Sequence, residues 1–298
     1  MQRRWASHLA AYPAIYVAAC VALTASLLGF DAAWPSLVSA LIFASATAAG
    51  AYLLDRAKLR RSWLDPADQA AQPERFAAIE RHQGAIRLAS FASLACAGVL
   101  ALVFARGSFD LFGLRFHAHL LALAPISTLI GVFIYAGRPR RERPRPKDLL
   151  ALKNAFVALG IASFAASTAL LWPLTTPNPA PLLAIGVGAI VTARVFADAI
   201  LCDLDDAPAD RAYRTRTFPV ALGASVSWRF ALGVRATTAI ALAVLMPAPP
   251  VPRCAWALAT LASTLILFVR RPSPARDWVE AALAIEAVVV LAITLTAR

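Results

Sequence analysis

A cluster of aspartates lies between residues 194 and 223, where a long apolar run gives way to a basic segment. Its members are Asp198, Asp203, Asp205, Asp206 and Asp210. On a helix, Asp203, Asp206 and Asp210 would share one face, whereas Asp205 would point elsewhere. Hard oxygen ligands of this kind suit Mg²⁺, which binds through one or two carboxylates together with substrate phosphates. The alternative is an acidic segment that only caps a helix end.

Pro208 lies between Asp206 and Asp210. A proline inside a helix removes a backbone hydrogen bond and kinks or ends the helix. The sequence therefore favours a turn at Asp210, after the helix has ended.

The composition is that of a membrane protein. Of the 298 residues, 60% are hydrophobic and 15% are charged, whereas soluble domains are about 45–50% apolar and about 25% charged. The net charge of +12 does not indicate a nucleic-acid partner, because the arginines lie in short loops between apolar runs. The four cysteines show no metal-binding spacing and are interpreted as small buried residues.

Nine apolar runs approach the roughly 20 residues that cross a bilayer core. They lie near residues 9–30, 34–54, 85–105, 117–136, 154–172, 179–201, 226–246, 252–270 and 278–297. An interpretation with eight spans stays open, because the fifth and eighth runs are short. The sequence thus predicts an all-α polytopic membrane protein, with residues 1–298 forming a single transmembrane domain and the lipid bilayer as a partner.

Loop charge predicts the orientation. Most of the 29 basic residues fall at the N-terminus or in the loops that follow even-numbered spans, which places that side in the cytoplasm. This count includes Arg235 as a loop residue. We expect a bacterial inner membrane, with the C-terminus outside and a retained first span after Arg3 and Arg4.

Two cytoplasmic loops, about 55–84 and 202–225, are both acidic and basic. They follow the second and sixth spans, which suggests two similar halves that meet at one site. A third loop, 138–147, is rich in proline and arginine and is interpreted as a solvated linker. Lys153 lies just after it, where it could reach a diphosphate.

Some charged residues lie within the spans, where charges are costly and usually have a partner. Arg194 and Asp198 are four residues apart and can pair along one helix face. Either they form a structural ion pair, or one of them contacts substrate. Glu286 is deep enough to need a partner. A transporter ranks lowest among the possible functions, because the sequence does not suggest charges spread over several spans.

The pattern D203-x-x-D206-x-x-x-D210-R211, followed by T217-F-P-V-x-L-G223, resembles the second aspartate-rich motif of the UbiA family of membrane prenyltransferases. Three positions depart from the family pattern: Cys202, Pro208 and Arg214.

The resemblance implies nine transmembrane helices around a central cavity, with Mg²⁺ and a prenyl diphosphate held between the two aspartate loops. The isoprenyl group would pass to an aromatic or other lipophilic acceptor. By this resemblance Asp203, Asp206 and Asp210 are the catalytic residues and, with Asp55, the metal ligands. The residues expected at the substrate are Asp55, Arg56, Lys58, Lys153, Arg194, Asp198 and Arg211.

The first aspartate motif departs further from the family. If Asp55 is its first aspartate, then Leu54, Lys58 and Ser62 replace an asparagine and two aspartates. Asp65 and Asp68 could substitute if the loop folds back, and Arg56, Lys58 and Arg60 could neutralise the diphosphate directly. Two interpretations stay open: an active prenyltransferase, or a non-catalytic relative that binds an isoprenoid or quinone lipid.

Overall fold

The computed structural model describes residues 11–59, 73–136, 149–172, 174–175, 179–212, 215–273 and 275–297. Asp65 and Asp68, the loop 138–147 and the N-terminal arginines lie outside these residues, as does Arg214. The predictions made for them stay predictions.

The described chain is helical except for one short hairpin, so the all-α prediction is confirmed. Its helices are α1 (Ala11–Leu27), α2 (Trp34–Ala57), α3 (Pro73–Arg81), α4 (Gln83–Phe104), α5 (Ala124–Ala136), α6 (Leu152–Leu171), α7 (Pro181–Ala212), α8 (Phe218–Leu222), α9 (Ala224–Leu245), α10 (Pro250–Arg270) and α11 (Ala275–Thr296). Strands β1 (Ser108–Leu111) and β2 (Leu114–His117) form an antiparallel hairpin, and a 3₁₀ helix, Ala118–Leu123, leads into α5.

Seven of the described helices are long and apolar enough to cross a membrane: α2, α4, α6, α7, α9, α10 and α11. The other two predicted spans correspond to shorter apolar helices, α1 and the 3₁₀ helix with α5. The helix ends lie within a few residues of the predicted limits, except that α7 continues well past residue 201.

Helix α1 lies at the centre of the bundle. Twelve of its 17 residues are buried, and it packs against α2, α6, α7 and α11. Small residues let neighbouring helices approach closely. Helices α2 and α4 also approach closely at a small residue: a Cβ added at Gly50 would lie 2.6 Å from the Leu94 side chain. Helix α7, which carries the aspartates, is held by α6 on one side and by α9 and α11 on others.

A cluster of four charged side chains lies in this core, and we call it the buried ionic cluster. Its members are Arg194 and Asp198 on α7, Arg235 on α9 and Glu286 on α11, each at most 2% exposed. Arg194 binds Glu286 through two hydrogen bonds of 2.7 and 3.0 Å and binds Asp198 at 3.0 Å. Arg235 contacts the other Asp198 oxygen and lies 3.6 Å from Glu286.

Neutral groups complete the hydrogen bonding of this cluster. Tyr16 donates to Asp198 at 2.9 Å, and Trp256 and Ser263 donate to Glu286 at 3.1 and 2.6 Å. The expected Arg194–Asp198 pair is present, and Glu286 has the partner that its depth required. The contacts are those of the structural alternative, and contact of Arg194 or Asp198 with substrate stays a prediction.

The structure corrects two predictions about charge. Arg235 is not a loop residue but a fully buried member of the cluster, in the middle of α9. Charges therefore do lie on several spans, whereas the sequence did not suggest this and a transporter was ranked lowest for that reason. They nevertheless form one closed, neutral group of two arginines and two carboxylates, rather than a relay of charges that crosses the bundle.

Candidate functional site

Helix α7 extends beyond the membrane and carries the aspartates there. Its 32 residues span about 48 Å at 1.5 Å per residue, against a hydrocarbon core of about 30 Å. The apolar part ends near Cys202, and the last ten residues of α7 lie beyond it, with Pro208, Arg211 and Ala212 exposed.

The helix continues through Pro208 and ends at Ala212. The predicted turn at Asp210 is therefore wrong. Pro208 is exposed, so solvent can satisfy the backbone carbonyl that the proline leaves without a hydrogen bond. As a result, Asp203, Asp206 and Asp210 keep the shared helical face that their spacing predicts.

Asp203 is buried against the first turn of α6. Lys153 donates to its Oδ1 at 2.6 Å, and Asn154 donates to its Oδ2 at 3.0 Å. Only 4% of Asp203 is exposed, and both of its carboxylate oxygens have partners. Lys153 was predicted to reach a diphosphate, and in this structure it neutralises Asp203; its contact with a diphosphate stays a prediction.

Asp206 is bound by a cation from a different helix. Arg276, in the first turn of α11, donates to the Asp206 carboxylate at 2.6 Å and to the Cys202 carbonyl at 3.3 Å. Burial opposes ionisation of Asp206, but the Arg276 guanidinium outweighs it and lowers the pKa of the carboxyl to about 2. Lys153 and, more weakly, Arg56 at the end of α2 add to this lowering of the Asp206 pKa.

Asp205 points away from the shared face, as its spacing predicts, and it caps α11. Its two oxygens accept the backbone N–H groups of Ala275 and Arg276, each at 3.0 Å. For this one residue, the alternative of a helix-capping acid describes the structure. The cap also fixes the backbone from which the Arg276 side chain reaches Asp206.

We expect Asp205→Ala to lower the free energy of unfolding by about 1 kcal/mol, as the loss of a helix cap usually does. Asp205→Asn should fall between the parent and the alanine variant, because the single amide oxygen of asparagine can accept only one of the two N–H groups. Thermal unfolding of both variants in detergent measures the difference. Equal stability of the alanine variant and the parent would show that the cap contributes nothing.

Asp210 differs from the other two aspartates of the shared face. Its Oδ2 is buried and has no hydrogen-bond partner among the described residues. Two other buried side-chain oxygens on the segments that contact these aspartates, Asn154 Oδ1 and Thr217 Oγ1, also lack a hydrogen-bond partner within 3.5 Å in the described part of the chain. Burial raises the pKa of the Asp210 carboxyl to about 6, although Lys153 and the Thr217 side chain are close enough to oppose the rise.

The described part of the first loop pairs its aspartate internally. Helix α2 ends at Ala57, and Lys58 follows with a positive φ of 51°. The Lys58 ammonium contacts Asp55, and Arg87 on α4 donates to the Lys58 carbonyl at 2.6 Å. Because the helix has ended, residue 58 does not continue the helical face that bears Asp55.

The donor chemistry of the site fits Mg²⁺ in part. Asp203 and Asp210, with the orphaned oxygens of Asn154 and Thr217, offer only hard oxygen ligands. However, within residues 11–59, 73–136, 149–172 and the other described segments, no three His, Cys, Asp or Glu side chains converge closely enough to hold an ion. The four predicted ligands are not gathered into one group there, and the role of each as a ligand stays a prediction.

Sequence reasoning missed two residues of the site. Arg276 lies in a short run of loop arginines that was interpreted only as a signal of orientation. Asn154 follows Lys153 directly, and a polar pair at the mouth of an apolar span was the available signal. Arg211, by contrast, is exposed at the end of α7, and its role at the substrate stays a prediction.

Comparisons with known proteins identify the fold. No protein-family model and no curated protein matches the chain. A UbiA homolog from Aeropyrum pernix K1 superimposes with a TM-score of 0.64 at 15% identity, covering 95% of this chain and 98% of that one. A UbiA homolog from Archaeoglobus fulgidus bound to GPP and Mg²⁺ gives a TM-score of 0.62 at 18% identity, covering 97% of both chains. The same protein bound to DMAPP and Mg²⁺ gives 0.60 at 17% identity, covering 97% and 98%.

These likenesses extend over nearly the whole chain, and they agree with the resemblance of the 203–223 segment. Together with the seven apolar helices, they make the chain an integral membrane protein. It has the fold of the UbiA homologues.

Proposed function

We propose that this protein is a Mg²⁺-dependent prenyltransferase that moves an isoprenyl group from a prenyl diphosphate to an aromatic or other lipophilic acceptor. One observation carries the proposal: acidic and basic side chains from α2, α6, α7 and α11 gather where α7 leaves the membrane. They do so in the fold of proteins whose structures hold DMAPP or GPP with Mg²⁺.

In the proposed reaction, the C–O bond of the prenyl diphosphate breaks and its electron pair leaves with the diphosphate. An acceptor atom then bonds to the prenyl carbon and releases a proton. Lys153 and Arg276 are the cations placed to bind the departing diphosphate, and Arg56 at the end of α2 acts on the same carboxylate, Asp206. Lys58 stays a proposed diphosphate ligand on the first loop. Mg²⁺, when bound, would supply further neutralisation of the leaving group.

The reaction also needs a site from which water is excluded, and the membrane-spanning helices can provide it. The allylic group must be kept from water while it carries positive charge, and the apolar helices below Asp203 supply a dry surrounding. Ile200 and Leu201, which lie between Asp198 and Asp203, are fully buried. We place the aspartate side in the cytoplasm, because basic residues concentrate there.

A second candidate is a non-catalytic protein that binds an isoprenoid or quinone lipid. It is favoured by one observation: Asp203, Asp206 and Asp55 each already contact a cation of this chain. Such a protein would retain the fold and the polar end of α7 without holding the metal that the reaction needs.

Turnover separates the two candidates. We expect the purified protein to release diphosphate from at least one member of a panel of prenyl diphosphates of different chain length, offered with a lipophilic aromatic acceptor. The release should need Mg²⁺ and should stop with EDTA. A protein that binds prenyl diphosphates but never releases diphosphate would support the second candidate instead.

A further inference from the structure

Three of the four predicted metal ligands are bound to three cations of the same chain. Lys153 binds Asp203, Arg276 binds Asp206, and Lys58 binds Asp55. We call these contacts the three internal pairs. They join α6 to α7, α11 to α7, and the end of α2 to itself.

The internal pairs leave little for a metal ion to bind. Both Asp203 oxygens are occupied, one by Lys153 and one by Asn154, and Asp206 is held by Arg276. The buried Asp210 Oδ2 is the one carboxylate oxygen on the shared face, within the described residues, that is buried without a partner. Mg²⁺ demands near-octahedral oxygen coordination, and beside Lys153 and Arg276 it would also meet two positive charges.

We infer that the internal pairs are exchanged when diphosphate binds: the diphosphate oxygens take Lys153 and Arg276, and the released Asp203 and Asp206 then become available to Mg²⁺. The inference rests on the proposed function. The exchange replaces each lost pair with a new one, so its electrostatic cost is low, whereas Mg²⁺ alone must break a pair without replacement. The positive charge of Lys153 and Arg276 therefore holds Mg²⁺ off the empty site and makes its binding depend on diphosphate.

The test is the affinity for Mg²⁺ alone, measured by isothermal titration of the full chain in detergent. Lys153→Met removes the cation and frees Asp203, so it should raise this affinity roughly tenfold or more, in line with the typical strength of a contact to a charged group. In the absence of Mg²⁺, the same variant should bind inorganic diphosphate more weakly than the parent does. Mg²⁺ and diphosphate also associate in solution, but that association cannot change an affinity measured with Mg²⁺ alone.

Two controls isolate the pair. Lys153→Arg keeps the ion pair and should leave the Mg²⁺ affinity low. Arg229→Met removes an exposed cation at the same end of the bundle and should change the Mg²⁺ affinity far less than Lys153→Met. If Lys153→Met does not fold, Arg276→Met frees Asp206 and should show the same gain.

Mg²⁺ affinity that stays unchanged in both Lys153→Met and Arg276→Met overturns the inference, and so does an equal gain in Arg229→Met. The proposed function fails differently: no prenyl diphosphate is then turned over, whatever the Mg²⁺ titrations give. The two failures are therefore distinguishable in the same set of proteins.

Discussion

Replacing Asp203 with alanine is expected to lower Mg²⁺-dependent diphosphate binding by at least about ten- to a hundredfold, and prenyl transfer with it. Even residues that only orient metal ligands typically contribute about 10–100-fold to metal affinity or activity, and Asp203 is the proposed ligand itself. It is also the meeting point of α6 and α7, through Lys153 and Asn154. Isothermal titration of inorganic diphosphate with Mg²⁺ present measures the loss.

The sign of the effect should reverse when Mg²⁺ is absent. Without Asp203, Lys153 loses its internal partner and becomes available to an anion, so Asp203→Ala should bind diphosphate alone more tightly than the parent. Asp205→Asn is the matched control, because it removes a neighbouring negative charge while its amide oxygen can keep one of the two hydrogen bonds to the start of α11. Unchanged diphosphate affinity of Asp203→Ala in the presence of Mg²⁺ would show that the site lies elsewhere.

Glu286→Ala is expected to destabilise the protein by about 3–5 kcal/mol, the usual loss when one partner of a buried ion pair is removed. Glu286 accepts two hydrogen bonds from Arg194, and its loss leaves two buried arginines facing Asp198 alone. Nothing in this core can replace the lost charge, since the surrounding groups are neutral. Unfolding in detergent by heat or denaturant measures the change.

Two further variants separate charge from packing. Glu286→Gln keeps the side-chain size but not the charge, so most of the loss should persist. Combining Glu286→Ala with Arg235→Met restores neutrality, and the pair should be less destabilising than the sum of its single changes. Strict additivity would mean that the two side chains do not interact energetically.

The spans could be predicted because each apolar run is long and the charges between the runs are frequent. The same reasoning failed for Arg235, which was counted with the loop arginines although it lies inside the apolar run 226–246. Its partners, Asp198 and Glu286, are 37 and 51 residues away in the chain. Which helix faces meet decides such distant pairing, and the spacing of residues within one helix does not predict it.

The aspartate face was predictable from spacing of three and four residues alone. The partners of each aspartate were not predictable, because Lys153, Asn154 and Arg276 reach the site from α6 and α11. Pro208 misled the local argument, since a proline on an exposed helix face loses only a hydrogen bond that water can replace. Asp205 shows that residue type alone does not decide the role: it is adjacent to Asp206, yet it caps α11 and does not lie on the shared face.

The buried ionic cluster also has a consequence for the order in which the chain can be assembled. Arg194 and Asp198 enter the bilayer together on α7 and can neutralise each other at once. Arg235 arrives with α9 and makes the ratio two guanidinium groups to one carboxylate. Only α11, which follows α9 and α10 in the chain, brings the second carboxylate. Until Glu286 is in place, the bundle formed by the preceding helices holds an excess positive charge in its interior, and the insertion of α11 neutralises it.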